Sequence, residues 1–343
     1  VRKLLNTLYV TSETAYLALD GETVDVLFED GTHRAVPLHT LDSIVCFSYK
    51  GASPALMGKC AECNVHLSFY TPNGRYLASA VSGTNGNVLL RRKQYRFADD
   101  KEAALQAAKN IMSGKLYNSK FMLLRCARDH AMQTDSEKLR RAADNIGKYL
   151  KDIGSADSVD SIRGIEGNAA AEYFGVFDEM ILRNKEDFRF CGRNRRPPTD
   201  NVNAMLSFAY SLLANDCTAA LYSAGLDPYV GFVHTDRPGR RSLALDLMEE
   251  LRSVYADRFV LTLINNRVMS KNDFEHQESG AVRMTDDARR TFLSEWQKRK
   301  RDELTHPYLE EKMSRGLVPY IQAMLLARTL RGDLDEYPPF FWK

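Results

Sequence analysis

The apolar residues of this chain change period once, near Gly86, which restricts the fold to a strand-rich part followed by a helical one. Before that point, A-Y-L-A-L-D-G-E-T-V-D-V-L-F sets two alternating runs around Asp20-Gly21, a hairpin signal. A second Asp-Gly, Asp30-Gly31, precedes H-R-A-V-P-L and S-I-V-C-F. A short helix is expected over 54–63, then the strand H-L-S-F-Y, a T-P-N-G turn and the strand R-Y-L-A-S-A-V. Beyond Gly86 a long amphipathic helix is expected over 99–127, with the acidic D-D-K-E at its start. Further helices are expected near 135–153, 167–184, 201–224, 242–258, 285–300 and 305–330. The run M-L-S-F-A-Y-S-L-L from Met205 is apolar enough for a buried helix, while S-K-N-D-F-E-H-Q-E-S-G from Ser270 reads as an exposed loop. The fold class is therefore α+β: a mostly β domain over 1–86, suited to pairing subunits or holding a partner, and a larger all-α domain over 87–343 that carries any catalysis.

At 343 residues, each domain has enough chain for its own core. A net charge of +2 is too small to argue for nucleic acid, so any basic footprint must be local. No apolar run approaches the ~20 residues of a membrane span. The start, V-R-K-L-L-N-T-L-Y-V-T, lacks a signal-peptide core, so cytoplasmic residence is the expectation. Six scattered cysteines are no disulfide framework, and the single C-x-x-C of Cys60 and Cys63 reads as two packed thiols on a short helix.

Three polar clusters fall within 163–251. The first is R-G-I-E-G-N-A-A-A-E-Y-F, with Glu166 between glycines; the second is G-L-D-P-Y-V-G-F-V-H, ending in His234. The third is S-L-A-L-D-L-M-E-E, where Asp246, Glu249 and Glu250 share a helix face. Carboxylates with one imidazole suit Mg²⁺ or Mn²⁺ better than structural zinc, which prefers closed sulfur and nitrogen shells. Each cluster alone also has a plain reading: a solvated acidic edge, a packed histidine, and a helix-start carboxylate at Glu166. Basic residues surround them. F-R-F-C-G-R-N-R-R-P-P carries Arg193, Arg195 and Arg196 among aromatics, and Arg237, Arg240 and Arg241 lead into the third cluster. Arginines in this pattern suit phosphate and strand contacts, or a solvated loop.

Four strings, E-G-N-A-A-A-E-Y-F, N-A-M-L-S-F-A-Y, G-L-D-P-Y-V-G-F-V-H and D-L-M-E, occur in the order in which they resemble the core of the CRISPR-associated protein one family. The tail D-L-D-E-Y-P-P-F-F-W-K and H-T-D-R-P-G-R look most like its type I-C branch. The resemblance implies a metal-dependent DNA endonuclease/integrase that inserts spacers into a CRISPR array, a DNA 3′-hydroxyl attacking a phosphodiester. It implies a homodimer that acts on double-stranded DNA and assembles with the small second adaptation protein. Glu166, His234 and Glu249 match the family's metal ligands, with Glu249 standing where many relatives carry Asp; Asp246 matches a supporting acidic position. Two other readings stand beside it: a DNA-binding scaffold whose acids are structural, and a metal-dependent phosphohydrolase of a small substrate.

Overall fold

The structure, a computed structural model, describes residues 7–41, 43–63, 65–71, 76–80 and 88–342. It divides into two compact units. The expected T-P-N-G turn and the change of period at Gly86 fall largely or wholly outside the described residues.

The first unit comprises Val1–Gly86, Arg289–Leu304 and Met313–Leu317. Strands β1 (Thr7–Val10), β2 (Tyr16–Asp20), β3 (Thr23–Leu27), β4 (His33–Pro37) and β5 (Ser43–Cys46) precede helix α1 (Pro54–Glu62), which β6 (His66–Tyr70) and β7 (Tyr76–Ala80) follow. The hairpin predicted around Asp20-Gly21 is the β2–β3 turn, with Gly21 at φ 54° where a side chain would strain the backbone. Strands β2, β3 and β4 form one antiparallel sheet, and a second sheet runs β1-β5-β6-β7. The alternation in these strands buries Leu17, Val24, Val26, Ile44 and Leu67 with Leu56 of α1. Only one thiol of the C-x-x-C is packed: Cys60 is buried, which pushes its pKa up to about 12, while Cys63 is exposed. Arg289–Leu304 belongs here because its polar atoms close the sheet's first strand: Gln297 Nε2 donates to the Thr7 carbonyl at 3.0 Å.

The second unit is mostly helical: α2 (Val88–Asp99), α3 (Lys101–Asp129), α4 (Ser136–Ser155), α5 (Val159–Gly175), α6 (Asn201–Ser223), α7 (Ser242–Arg252) and α8 (Arg258–Asn265). Asp100 caps α3 by accepting from the Glu102 and Ala103 amides at 3.0 and 3.2 Å. Helix α6 is buried along its length, as its apolar density predicts. Between α7 and α8, Ser253–Asp257 forms a π-helical turn. The segment expected as an exposed loop instead pairs β8 (Phe274–His276) with β9 (Val282–Met284), anchored by buried Phe274. The helix expected from 305 starts only at Val318: a two-stranded ribbon, Glu303–Thr305 with Lys312–Ser314, precedes it, turning through Glu310 at φ 57°.

The tail that follows Val318–Arg331 packs against α3 and α7. Asn118 of α3 donates to the Phe340 carbonyl at 2.7 Å and accepts from the Trp342 amide at 2.8 Å. The Trp342 ring lies between the guanidiniums of Arg125 and Arg258, 4.7 and 4.6 Å from its centroid. His306 is fully buried beneath the tail, edge-on to Phe340; its ring pairs with Gln322 Oε1 at 3.0 Å and accepts the Tyr308 and Leu309 amides at 3.3 Å. Burial pushes its pKa below the ordinary histidine range, against the opposing Gln322 bond. A depressed histidine leaves the unfolded chain holding more protons as pH falls below about 6.5, so this stability is present above that pH and lost below it. Thermal melts of His306→Gln against the parent should show a smaller loss between pH 7 and pH 5; equal losses would exclude His306 as a source.

Candidate metal and nucleic-acid site

Helix α5 carries Glu166 in its interior, not at its start. Ser158 caps the helix by accepting the Ser161 amide at 3.2 Å, so it begins eight residues before the expected Gly167. Gly164 and Gly167 cost about 1 kcal/mol each in helix propensity, which packing of Ile162, Ala169 and Tyr173 offsets. A Cβ at either glycine would meet nothing within 4 Å, so both leave open space beside the Glu166 turn.

Asp246 sits in the first half of α7, fully buried, and collects donors from the loop ahead of it. Its carboxylate accepts the backbone amides of Phe232, Val233 and His234 at 2.6, 2.9 and 3.0 Å, and pairs with His234 Nδ1 at 2.6 Å. A carboxylate so occupied is a positioning group. It makes Nδ1 the protonated ring nitrogen and leaves the Nε2 lone pair for an ion or a proton. The loop reaches this close only because residue 231 is glycine: a Cβ there would lie 2.7 Å from Asp246 Oδ2 and 2.9 Å from the Ser242 carbonyl carbon. Arg163 of α5 secures the same loop, Nε donating to the Val233 carbonyl at 2.8 Å.

One turn further on, Glu249 is 6% exposed and meets Lys115 of α3, whose Nζ lies 2.6 Å from Oε2. The same ammonium bonds Glu166 of α5. Arg252 closes the other side of Glu249, at 3.2 and 3.3 Å from its two oxygens. Burial alone would raise the Glu249 pKa; the Lys115 and Arg252 charges overcome it and pull the value down to about 2. Lys115 is the residue that sequence reasoning missed. The nearest signal was Gly114, a helix-interior glycine, where a Cβ would come within 3.0 Å of the Glu250 and Pro339 side chains.

Glu250, grouped with the acidic face from its spacing, points elsewhere. It is buried against the tail, accepting Gln322 Nε2 at 3.0 Å, the Phe340 amide at 2.7 Å and the Tyr337 hydroxyl. With dipoles and no cation to oppose its burial, its pKa rises to about 7. Asp246, Glu249 and Glu250 thus serve three different partners.

The arginines divide. Arg195, Arg196 and Arg237 are exposed. Arg193 turns inward, donating to Asn203 Oδ1 at 2.6 Å and Ser207 Oγ at 3.0 Å with its guanidinium 5.3 Å from the Tyr210 ring centroid. Arg241 is half-buried and donates to Thr218 Oγ1 at 3.0 Å. Arg240 lies in a positive neighbourhood: burial lowers its pKa first, and Arg237, Arg163 and Arg196 lower it further, against Asp246. Among the described residues no three His, Cys, Asp or Glu side chains gather into a ready-made metal cage. The ammonium of Lys115 is the cation between Glu166 and Glu249.

The family model for CRISPR associated protein Cas1 matches residues 8–298. The chain belongs to the CRISPR-associated Cas1 family of endonucleases. It is 47% identical over its whole length, and that of its relative, to a CRISPR-associated endonuclease Cas1 of Chlorobaculum tepidum. Its fold is similar to that of a casposase bound to integration product, at 24% identity and TM-score 0.84, covering 99% of this chain and 95% of that one. It is also similar to a Cas6-RT-Cas1–Cas2 complex chain, at 22% identity and TM-score 0.83, covering all of this chain and 36% of the other. Among the described residues no helix is long and apolar enough to cross a membrane.

Asp246→Ala should release three loop amides and the His234 ring together. Leaving such donors unsatisfied costs roughly 1–3 kcal/mol each when they stay buried, so a lowered melting temperature is expected. An unchanged melting temperature would show that the 232–234 loop is held by something else.

Proposed function

We propose that this site is the catalytic centre of a metal-dependent DNA endonuclease and integrase, adding spacers to a CRISPR array. The observation that carries the reading is the convergence of two carboxylates, from α5 and α7, on one cation, with an imidazole oriented nearby by Asp246. Glu166, Glu249 and the Nε2 of His234 offer an ion two hard oxygens and one nitrogen, a set that fits Mg²⁺ or Mn²⁺ and leaves room for water. Bound by these residues, such an ion would supply Lewis-acid stabilisation to a scissile phosphate and its leaving oxygen. The attacking group is a DNA 3′-hydroxyl, or water in hydrolysis, so no side-chain nucleophile is required. The chain's own part is positioning. Asp246 holds the His234 tautomer, Gly164 and Gly167 leave space beside Glu166, and the Arg163, Arg196, Arg237 and Arg240 charges favour phosphates.

The names of the similar proteins support the partners: one neighbour is described with an integration product and another as a Cas1–Cas2 complex. The proposed partners are double-stranded DNA, a second copy of this chain, and the small Cas2-type adaptation protein. The strand-rich unit, with Tyr49 67% exposed, is proposed to mediate self-association, which light scattering on the intact chain reads directly.

Glu166→Ala, His234→Ala and Glu249→Ala should each abolish Mn²⁺- or Mg²⁺-dependent cleavage and strand transfer, because rate depends on where the ion sits relative to the phosphate. Near-normal activity of His234→Ala would remove that residue from the site. DNA binding that survives while no variant, nor the parent, cuts DNA would favour a scaffold.

Replacing Arg195, Arg196 and Arg237 together should weaken DNA binding without regard to sequence, the log–log salt slope shrinking by about 0.9 per lost phosphate contact. Arg193→Ala should instead lower the melting temperature, since its donors are used inside the fold. A salt titration with unchanged slope in the triple variant would make those arginines solvated loop residues.

A further inference from the structure

Lys115 lies outside the sequence strings that mark this site, yet among the described residues its ammonium joins both of its carboxylates. We propose that Lys115 is a built-in counter-cation of the Glu166–Glu249 pair, which a divalent ion must displace, so that the site exchanges a protein ammonium for a metal ion when it is loaded. The inference rests on the metal reading of the site given above.

The geometry makes the two cations mutually exclusive. The Lys115 side chain is 11% exposed, that of Glu249 7%, and Nζ is 2.6 Å from Glu249 Oε2 while also bonded to Glu166. A divalent ion sharing the same oxygens would sit within contact distance of a retained ammonium. At that range and in that burial, like charges repel strongly. With neither cation present, two carboxylates would face each other across a partly dry gap, with Arg252 beside Glu249, which is costly. The ammonium therefore stabilises the unloaded protein and opposes loading.

Displacement is confined to the side chain. The backbone at Gly114 is wedged against Glu250 and Pro339, with 3.0 Å from a Cβ position to each, so α3 cannot shift toward α7 to follow the exchange. The lysine stem has four flexible carbons and can withdraw Nζ without moving the helix. Arg252 does not compete for this role. Its guanidinium is held at 4.3 Å from the Tyr210 ring centroid and, of the two carboxylates, pairs with Glu249.

Two substitutions in the full-length chain test this in opposite directions, with Mn²⁺ as the probe and free Mn²⁺ read by electron paramagnetic resonance. Lys115→Met removes the charge and keeps much of the stem. Its ion-free melting temperature should fall, while Mn²⁺ binds about tenfold tighter or more and raises the melting temperature further than in the parent. Lys115→Arg keeps a cation that grips carboxylates better, so Mn²⁺ should bind more weakly than to the parent. Mn²⁺ affinity unchanged or weakened in Lys115→Met, or unchanged in Lys115→Arg, overturns the proposal. Glu249→Gln separates the two readings. If it abolishes Mn²⁺ binding, the carboxylate pair is the ion's site and the Lys115 results stand as read. If Mn²⁺ binds equally well without Glu249, or binds none of these proteins, the metal reading fails and the counter-cation proposal fails with it.

Discussion

Three carboxylates are buried within five residues of helix α7, and each must be compensated where it lies: Asp246 and Glu250 are fully buried and Glu249 is 6% exposed. A carboxylate taken from water without donors or a cation is costly. That requirement draws four other pieces of chain toward one short helix. Asp246 recruits the 232–234 loop, Glu249 recruits α3 and, through the shared ammonium, α5, and Glu250 recruits the tail. The glycines at 114 and 231 let those pieces come close enough.

The three solutions differ, and the difference bears on the proposed chemistry. Asp246 and Glu250 are satisfied largely by dipoles that are part of the framework, so neither can give up its partners without loosening a loop or the tail. Glu249 is satisfied by side-chain charges, which hold its pKa near 2 where that of Glu250 rises to about 7. A charge on a flexible side chain can be exchanged for another charge; a backbone amide cannot. The residue best placed to handle an ion is therefore the one whose compensation is ionic.

Much of this was legible in the sequence where the signal was local. The Asp20-Gly21 hairpin, the buried helix from Asn201 and the run that ends in His234 rest on short-range pattern, and the structure places them so. Glu166, His234, Asp246 and Glu249 were readable as candidates because each lies in a recognisable string. What escaped was long-range. Lys115 stands 51 residues before Glu166 in an ordinary helical stretch, and no local pattern says which carboxylate it will meet. The start of α5 was misread because Gly164 and Gly167 look like an edge, although packing on the helix's other face carries them. Arg193 resembles its exposed neighbours in sequence, and only Asn203, Ser207 and the ring of Tyr210 turn it inward.

The strap across Glu250 has a consequence in time. The groups that satisfy this carboxylate lie 72 to 90 residues downstream of it. At ribosomal rates of roughly 5–20 residues per second, α7 emerges several seconds before its partners exist. During that interval the nascent helix carries an acid that it cannot bury at neutral pH. Glu250 therefore gains the last of these partners only once synthesis has passed Phe340, whereas Lys115, Glu166 and Glu249 have all been made by then.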